Sequence, residues 1–96
     1  MGQSRRPQPR RLASKLHGIR SHLGLTQEEI AKLVKHRRAP VYHSHISEFE
    51  NGKREPSLPV LLQYAKTAGV CVDVLIDDAI DLPVKLPSRP KHGRAA

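Results

Sequence analysis

One short stretch in the middle of the chain constrains the fold more than any other. Ile46 and Phe49 lie three positions apart, which places both apolar side chains on one face of a helix. Asn51 and Gly52 follow directly, and this pair favours the left-handed backbone conformation that ends a helix. The sequence therefore predicts a helix of about two turns that buries one face and stops at Glu50.

Apolar periodicity and stop signals divide the rest of the chain into further short helices. We predict five helices, at about residues 10–23, 26–34, 43–50, 58–68 and 72–76. Thr26 and Glu29 have the spacing of a capping box, and Gly69 ends the fourth helix. The residues expected in the core from the second and fourth helices are Ile30, Leu33, Val34, Leu58, Leu61, Leu62 and Ala65. The predicted fold is an all-α bundle that contains a helix-turn-helix.

The net charge of +8 is concentrated at the two ends of the chain, because residues 12–84 carry nine cations and nine anions. We predict a flexible basic arm at 1–9, a helical domain at 10–80 and a flexible tail rich in proline and cations at 81–96. Basic ends indicate a polyanionic partner. The alternative is that the charges of the arm and tail only keep the chain soluble, which explains them equally well.

Several classes of protein are not expected from this sequence. No apolar run approaches the ~20 residues that cross a bilayer, and a single cysteine rules out an internal disulfide, so we expect a cytoplasmic protein. His43 and His45 point in different directions on a helix, which makes them a poor metal pair. No spacing prepares a nucleophile and its base. We therefore predict no enzyme, cofactor, metal or small-molecule substrate.

Four blocks of sequence resemble the Cro/C1-type (lambda-repressor-like, XRE) helix-turn-helix regulators. These blocks are Leu25–Ala31, Ile46–Ser57, Leu61–Ala65 and Gly69–Val70. The resemblance covers about residues 12–76, and the second block is highly specific for the family. It implies a domain that binds double-stranded DNA and docks the helix at 43–50 in the major groove.

The resemblance also implies roles for individual residues. The side chains expected to reach base edges are His43, Ser44, Ser47 and Glu48. Those expected to contact phosphates are Gln27, Asn51, Lys53 and Arg54. Ile46 and Phe49 match the pair that faces the core. The spacing agrees with these roles, because the four base-contacting positions share the face opposite that pair.

Two features depart from the family pattern. The turn between the second and third helices is several residues longer than usual and is basic. Arg37 and Arg38 in this turn are predicted to contact phosphate, although a tolerated surface insertion is the alternative. Glu48 would place an acid against DNA, where it either accepts from a cytosine amino group or turns away from phosphate.

The function predicted from the sequence is a transcription regulator, most simply a repressor, that binds a near-palindromic operator as a homodimer. Candidate dimer contacts are Val72, Val74, Leu75 and Ile76, for which core packing is an equal explanation. Residues 5–11 are a candidate minor-groove arm, with a frayed arm as the alternative. The other function considered is an antitoxin that regulates its own operon and binds a toxin protein through the tail.

Overall fold

The computed structural model describes residues 9–37, 40–83 and 85–86. Its helices are α1 (Leu12–Leu23), α2 (Gln27–Val34), α3 (His43–Glu50), α4 (Leu58–Ala68) and α5 (Val72–Ile76). The predicted all-α fold class is confirmed, and α2, the connection and α3 form the helix-turn-helix. Residues 1–8 of the predicted arm at 1–9, and residues 84 and 87–96 of the predicted tail at 81–96, lie outside the described residues.

The helix boundaries follow from local chemistry. Thr26 and Glu29 form the predicted capping box: the Thr26 N–H donates to the Glu29 carboxylate over 2.9 Å, and the Glu29 N–H donates to the Thr26 hydroxyl over 3.1 Å. Gly24 and Gly69 end α1 and α4 with φ angles of 72° and 77°, a conformation that glycine adopts without strain. These two stops therefore separate α1 from α2 and α4 from α5.

The core lies where α2 packs against α3 and α4 while α1 closes over α3, α4 and α5. Its largest fully buried side chains are Tyr64, Leu16, Ile19, Ile30, Ile46, Leu75, Val34 and Val60. Three leucines predicted to be buried are instead exposed: Leu33 at 50%, Leu58 at 72% and Leu62 at 45%. For Leu58 and Leu62 the prediction was wrong because the buried face of α4 is centred on Leu61 and Tyr64. For Leu33 it was wrong because α2 turns Ile30, Ala31 and Val34 inward instead.

A buried lysine joins α1 to the end of α5. The Lys15 side chain is 3% exposed, and its ammonium group donates to the carbonyls of Val74, Asp77 and Ile80 over 2.6 to 2.9 Å. An ammonium group has three N–H donors, so this arrangement satisfies all of them. The Val74 carbonyl lies in the last turn of α5, where carbonyls have no partner within the helix.

The start of α1 is capped by an acid from the other end of the domain. The Asp78 carboxylate accepts from the backbone N–H groups of Arg10 and Arg11 over 2.9 and 3.0 Å, and these donors hold the pKa of Asp78 below its usual range. The Arg11 guanidinium donates to the Asp78 carbonyl and pairs with Asp81. Arg11 therefore does not belong to a free minor-groove arm, and α1 begins at Leu12 rather than Arg10.

Packing continues beyond residue 80, where the sequence suggested that the domain ends. Leu86 is 6% exposed within the core cluster, and Leu82 packs against the same cluster. Leu82 lies over Gly18 of α1, where an added Cβ would come within 3.2 Å of its Cδ1 atom. Glycine at this position therefore lets the segment after α5 lie directly on α1.

Candidate nucleic-acid interface

The helix α3 presents a polar surface to solvent because its apolar face is buried. Ile46 is 0% exposed and Phe49 is 5% exposed, which confirms the predicted orientation. His43 and Ser44 are exposed on the opposite side, and Ser47 and Glu48 are partly exposed beside them. The four predicted base-contacting residues therefore lie on one accessible face.

The beginning of α3 is held by a histidine whose role the sequence did not indicate. The His45 Nδ1 atom accepts from the Tyr42 backbone N–H over 3.0 Å, as a Glu or Gln does at this position of a capping box. The His45 ring also packs on the rings of Tyr42 and Phe49, with centroid separations of 5.6 and 6.5 Å. An unprotonated nitrogen is needed to accept this hydrogen bond.

The acid on the exposed face of α3 folds back onto a cation of the following turn. A Glu48 carboxylate oxygen lies 2.6 Å from the Arg54 Nε atom, and the two side chains are 41% and 56% exposed. In the free protein, the Glu48 charge is therefore turned toward a neighbouring cation. An exposed pair of this kind contributes only about 0–1 kcal/mol. An incoming phosphate can therefore compete with it.

A largely buried ion pair connects the end of α3 to α1. The Arg20 guanidinium donates to both carboxylate oxygens of Glu50 over 2.7 and 2.9 Å, and also to the Leu25 carbonyl. The Glu50 side chain is 6% exposed and that of Arg20 is 19% exposed. The hydrogen bond to Glu50 raises the pKa of Arg20 above its ordinary value, so the guanidinium stays charged.

An open depression lies where α1, the start of α2 and the end of α3 meet. Its volume is about 460 Å³, and it is lined by Ser14, His17, Arg20, Gln27, Glu50 and Asn51. Gln27 is the first residue of α2, where backbone N–H groups lack partners within the helix and favour anions. The structure thus brings Gln27 and Asn51, predicted separately as phosphate contacts, to one place.

The remaining predicted phosphate contacts flank this region. Lys53 and Arg54 are exposed after α3 and line a second depression of about 490 Å³, together with Arg10, which precedes α1. Arg37 is exposed in the long turn, and Arg38 lies outside the described residues.

Sequence reasoning missed the contribution of α1. It had not assigned roles to Arg20, His17 or Ser14. Arg20 carried one signal: it is a cation in the last turn of a helix, next to core positions.

The described residues contain no group of three or more histidine, cysteine or acidic side chains suited to holding a metal ion. Among the helices of the described ranges, none has the length and apolar character needed to cross a membrane.

Comparison with known proteins matches this arrangement to a family. The model of the family described as "Helix-turn-helix domain" matches residues 13–77, which includes all of α2 to α5 and most of α1. The chain belongs to this helix-turn-helix family. No curated protein matches the sequence.

Among solved structures, the fold is similar to that of the P22 c2 repressor protein, crystallised in complex with synthetic operator 9T in the presence of Tl+. The two share 24% sequence identity with a TM-score of 0.61, over 70% of this chain and 94% of that one. At this level of identity the likeness concerns the fold. Together with the family match, it confirms the resemblance to Cro/C1-type helix-turn-helix proteins.

Proposed function

We propose that this protein is a sequence-specific, double-stranded-DNA-binding transcription regulator that docks α3 in the major groove. The observation that carries the proposal is the orientation of α3, with Ile46 and Phe49 in the core and small polar side chains outside. His43, Ser44 and Ser47 are short enough to approach base edges closely.

The surrounding residues supply the sequence-independent part of binding. Contacts to phosphate position a protein on the duplex, whereas contacts to base edges determine sequence preference. The residues proposed to contact phosphate are Gln27, Arg37, Arg38, Asn51, Lys53 and Arg54. We assign base contacts to His43, Ser44, Ser47 and Glu48.

The pairing of Glu48 with Arg54 predicts the direction in which substitutions at these two positions change DNA affinity. In the free protein Arg54 is partly neutralised, so replacing Glu48 by glutamine should release a cation for phosphate. We expect Glu48→Gln to strengthen non-specific binding to duplexes of random sequence and to steepen its salt dependence. Arg54→Ala should weaken binding to every duplex and flatten the slope of log K against log salt by about 0.9.

The deciding experiment is selection of bound sequences from random duplexes, with affinities then measured at two salt concentrations. Ser44→Ala or Ser47→Ala should change base preference by ~1–3 kcal/mol where a base contact is lost. Lys66→Ala, which removes an exposed cation from α4, is the charge control and should leave both preference and slope unchanged. If neither the serine substitutions nor Arg54→Ala changes the affinity for duplex DNA, the assignment of α3 to the groove is refuted.

Repression by a homodimer is the simplest mode of action. The eight residues of α3 span about 12 Å, which corresponds to about four base pairs, too few for specificity. Two copies of α3 separated by about 34 Å would read a near-palindromic operator, and a protein bound there would block transcription. The likeness to a repressor crystallised with an operator supports this mode.

The dimer surface that fits best is an exposed apolar patch of Leu58, Leu62 and Ile76. Leu58 and Leu62 lie one turn apart on α4, and Leu58 and Ile76 line the same depression of about 310 Å³. Leu75, one of the candidates from the sequence, is 0% exposed and packs in the core instead. Leu58→Asp should yield monomers in sedimentation, whereas Leu33→Asp, an exposed leucine of α2 outside the patch, should not.

The antitoxin alternative has less support from the described residues. It needs apolar anchors in the segment after α5, and Leu82 and Leu86 of that segment pack against the protein's own core. Co-purification of a second chain with the protein expressed from its own operon would favour the antitoxin.

A further inference from the structure

We propose that His17 of α1 is a phosphate contact, and that its protonation makes DNA affinity rise as the pH falls. This inference rests on the proposed DNA-binding function and extends it to a helix outside the helix-turn-helix. The imidazole is exposed and lines the same depression as Gln27 and Asn51, between the start of α2 and the end of α3. A phosphate held by those two residues would therefore lie against α1 as well.

The hydrogen bonds within the depression indicate which groups remain to bind a phosphate. Arg20 and Glu50 are paired with each other, so their charges largely cancel. The Ser14 hydroxyl donates to the Arg11 carbonyl over 3.0 Å. The Asn51 amide makes one long contact of 3.4 Å to Ser47. His17 is then the titratable group of the depression that lies outside the ion pair.

Each helix around the depression contributes a different kind of group. The helix α1 brings Arg20 and His17, α3 brings Glu50, and the α2 side is represented by the neutral Gln27. Since the one acid is already paired with Arg20, a protonated His17 would meet no unpaired carboxylate there. A phosphate is then the natural partner for its added charge.

Histidine is the side chain that ordinarily changes charge between about pH 5 and 8. Neutral imidazole offers one N–H donor, whereas the protonated ring offers two and a positive charge. Each added phosphate contact by a cation makes the slope of log K against log salt more negative by about 0.9. Protonation of His17 should change the slope by about this amount.

The test measures binding to random-sequence duplex DNA at several salt concentrations, at about pH 8 and about pH 6. In the wild-type protein, the slope of log K against log salt should differ between the two pH values. We expect this difference to be smaller by about 0.9 in His17→Asn. His17→Lys, which stays charged throughout, should show the steeper slope at both. His22→Asn is the matched control and should behave as wild type, because His22 lies in the last turn of α1 beside Leu86 and does not line the depression.

Proton uptake provides a second readout that a purely structural role would not change. Calorimetry near neutral pH, in two buffers of different ionisation enthalpy, should show fewer protons taken up on binding by His17→Asn than by wild type, since linkage is reciprocal. If wild type and His17→Asn bind DNA with the same pH dependence and the same proton uptake, the assignment of His17 is overturned while the DNA-binding function stands. Absence of duplex binding by the wild-type protein would overturn both.

Discussion

Removing one partner of the Arg20–Glu50 pair should destabilise the protein far more than removing both. In Arg20→Met, the Glu50 carboxylate is left without its cation at a site where its side chain is only 6% exposed. Breaking a buried pair in this way costs about 3–5 kcal/mol. Stability for a chain of 96 residues is about 5–15 kcal/mol, so this single change removes a large share of it.

The cost should be unequal for the two partners, because their exposure differs. In Glu50→Leu the remaining guanidinium is 19% exposed and still donates to the Leu25 carbonyl, so water screens part of its charge. We expect this variant near the lower end of the range, about 3 kcal/mol. The double variant Arg20→Met/Glu50→Leu leaves no orphaned charge, and it should unfold within about 2 kcal/mol of wild type.

Urea unfolding of the four proteins, followed by circular dichroism, measures this cycle directly. We expect a coupling free energy of about 3 kcal/mol or more between the two positions. The single variants should also melt lower by at least about 12 °C, given the usual shift of about 4–8 °C per kcal/mol for a domain of this size. If the two single effects add in the double variant, the pair does not act as a buried unit and the argument fails.

Three further outcomes follow from particular contacts. Tyr64 is 0% exposed, burial raises the pKa of its hydroxyl, and that hydroxyl has no hydrogen-bond partner among the described residues. Tyr64→Phe should therefore match or exceed wild-type stability in urea unfolding. A loss of about 1 kcal/mol would mean that the hydroxyl has a partner. His45→Ala should lower stability by about 1 kcal/mol through loss of the hydrogen bond at the start of α3, and His45→Gln should recover most of it in the same assay. The pKa of Asp78 is lower in the folded protein than in the unfolded chain, where it is near 3.8, so its ionised carboxylate stabilises the fold above about that pH. This stabilisation is lost as the pH falls through the lower pKa of the folded protein. Acid unfolding of Asp78→Asn should therefore lack this component, and an unchanged acid profile would contradict the role of the Arg10 and Arg11 N–H groups.

The parts of the fold that sequence reasoning predicted are those governed by neighbours along the chain. The capping box at Thr26, the glycine stops and the 3.6-residue period of α3 are local signals, and each matches the structure. The orientation of Ile46 and Phe49 was accessible for the same reason, since two apolar residues in an otherwise polar helix leave one choice of buried face.

What sequence reasoning missed depends on contacts between distant segments. The helix α4 carries apolar residues on more than one face, so local spacing did not distinguish Leu58 and Leu62 from Val60 and Tyr64. The Lys15 contacts span about sixty residues, and the Arg20–Glu50 pair spans thirty. The base and phosphate contacts themselves stay predictions, because their geometry depends on a bound duplex.

The contacts of α1 connect the two surfaces on which the proposed function depends. Arg20 holds the end of α3, and Lys15 holds the end of α5, whose Ile76 belongs to the exposed apolar patch. The charged groups of Arg20 and Lys15 both make directional hydrogen bonds within the protein, so they fix the positions of α3 and α5 more narrowly than apolar packing does. In a homodimer, the distance between the two copies of α3 depends on how α3 sits relative to that patch within each protomer. If the proposed homodimer forms through this patch, α1, which lies outside the helix-turn-helix, would help to set the operator spacing that it reads.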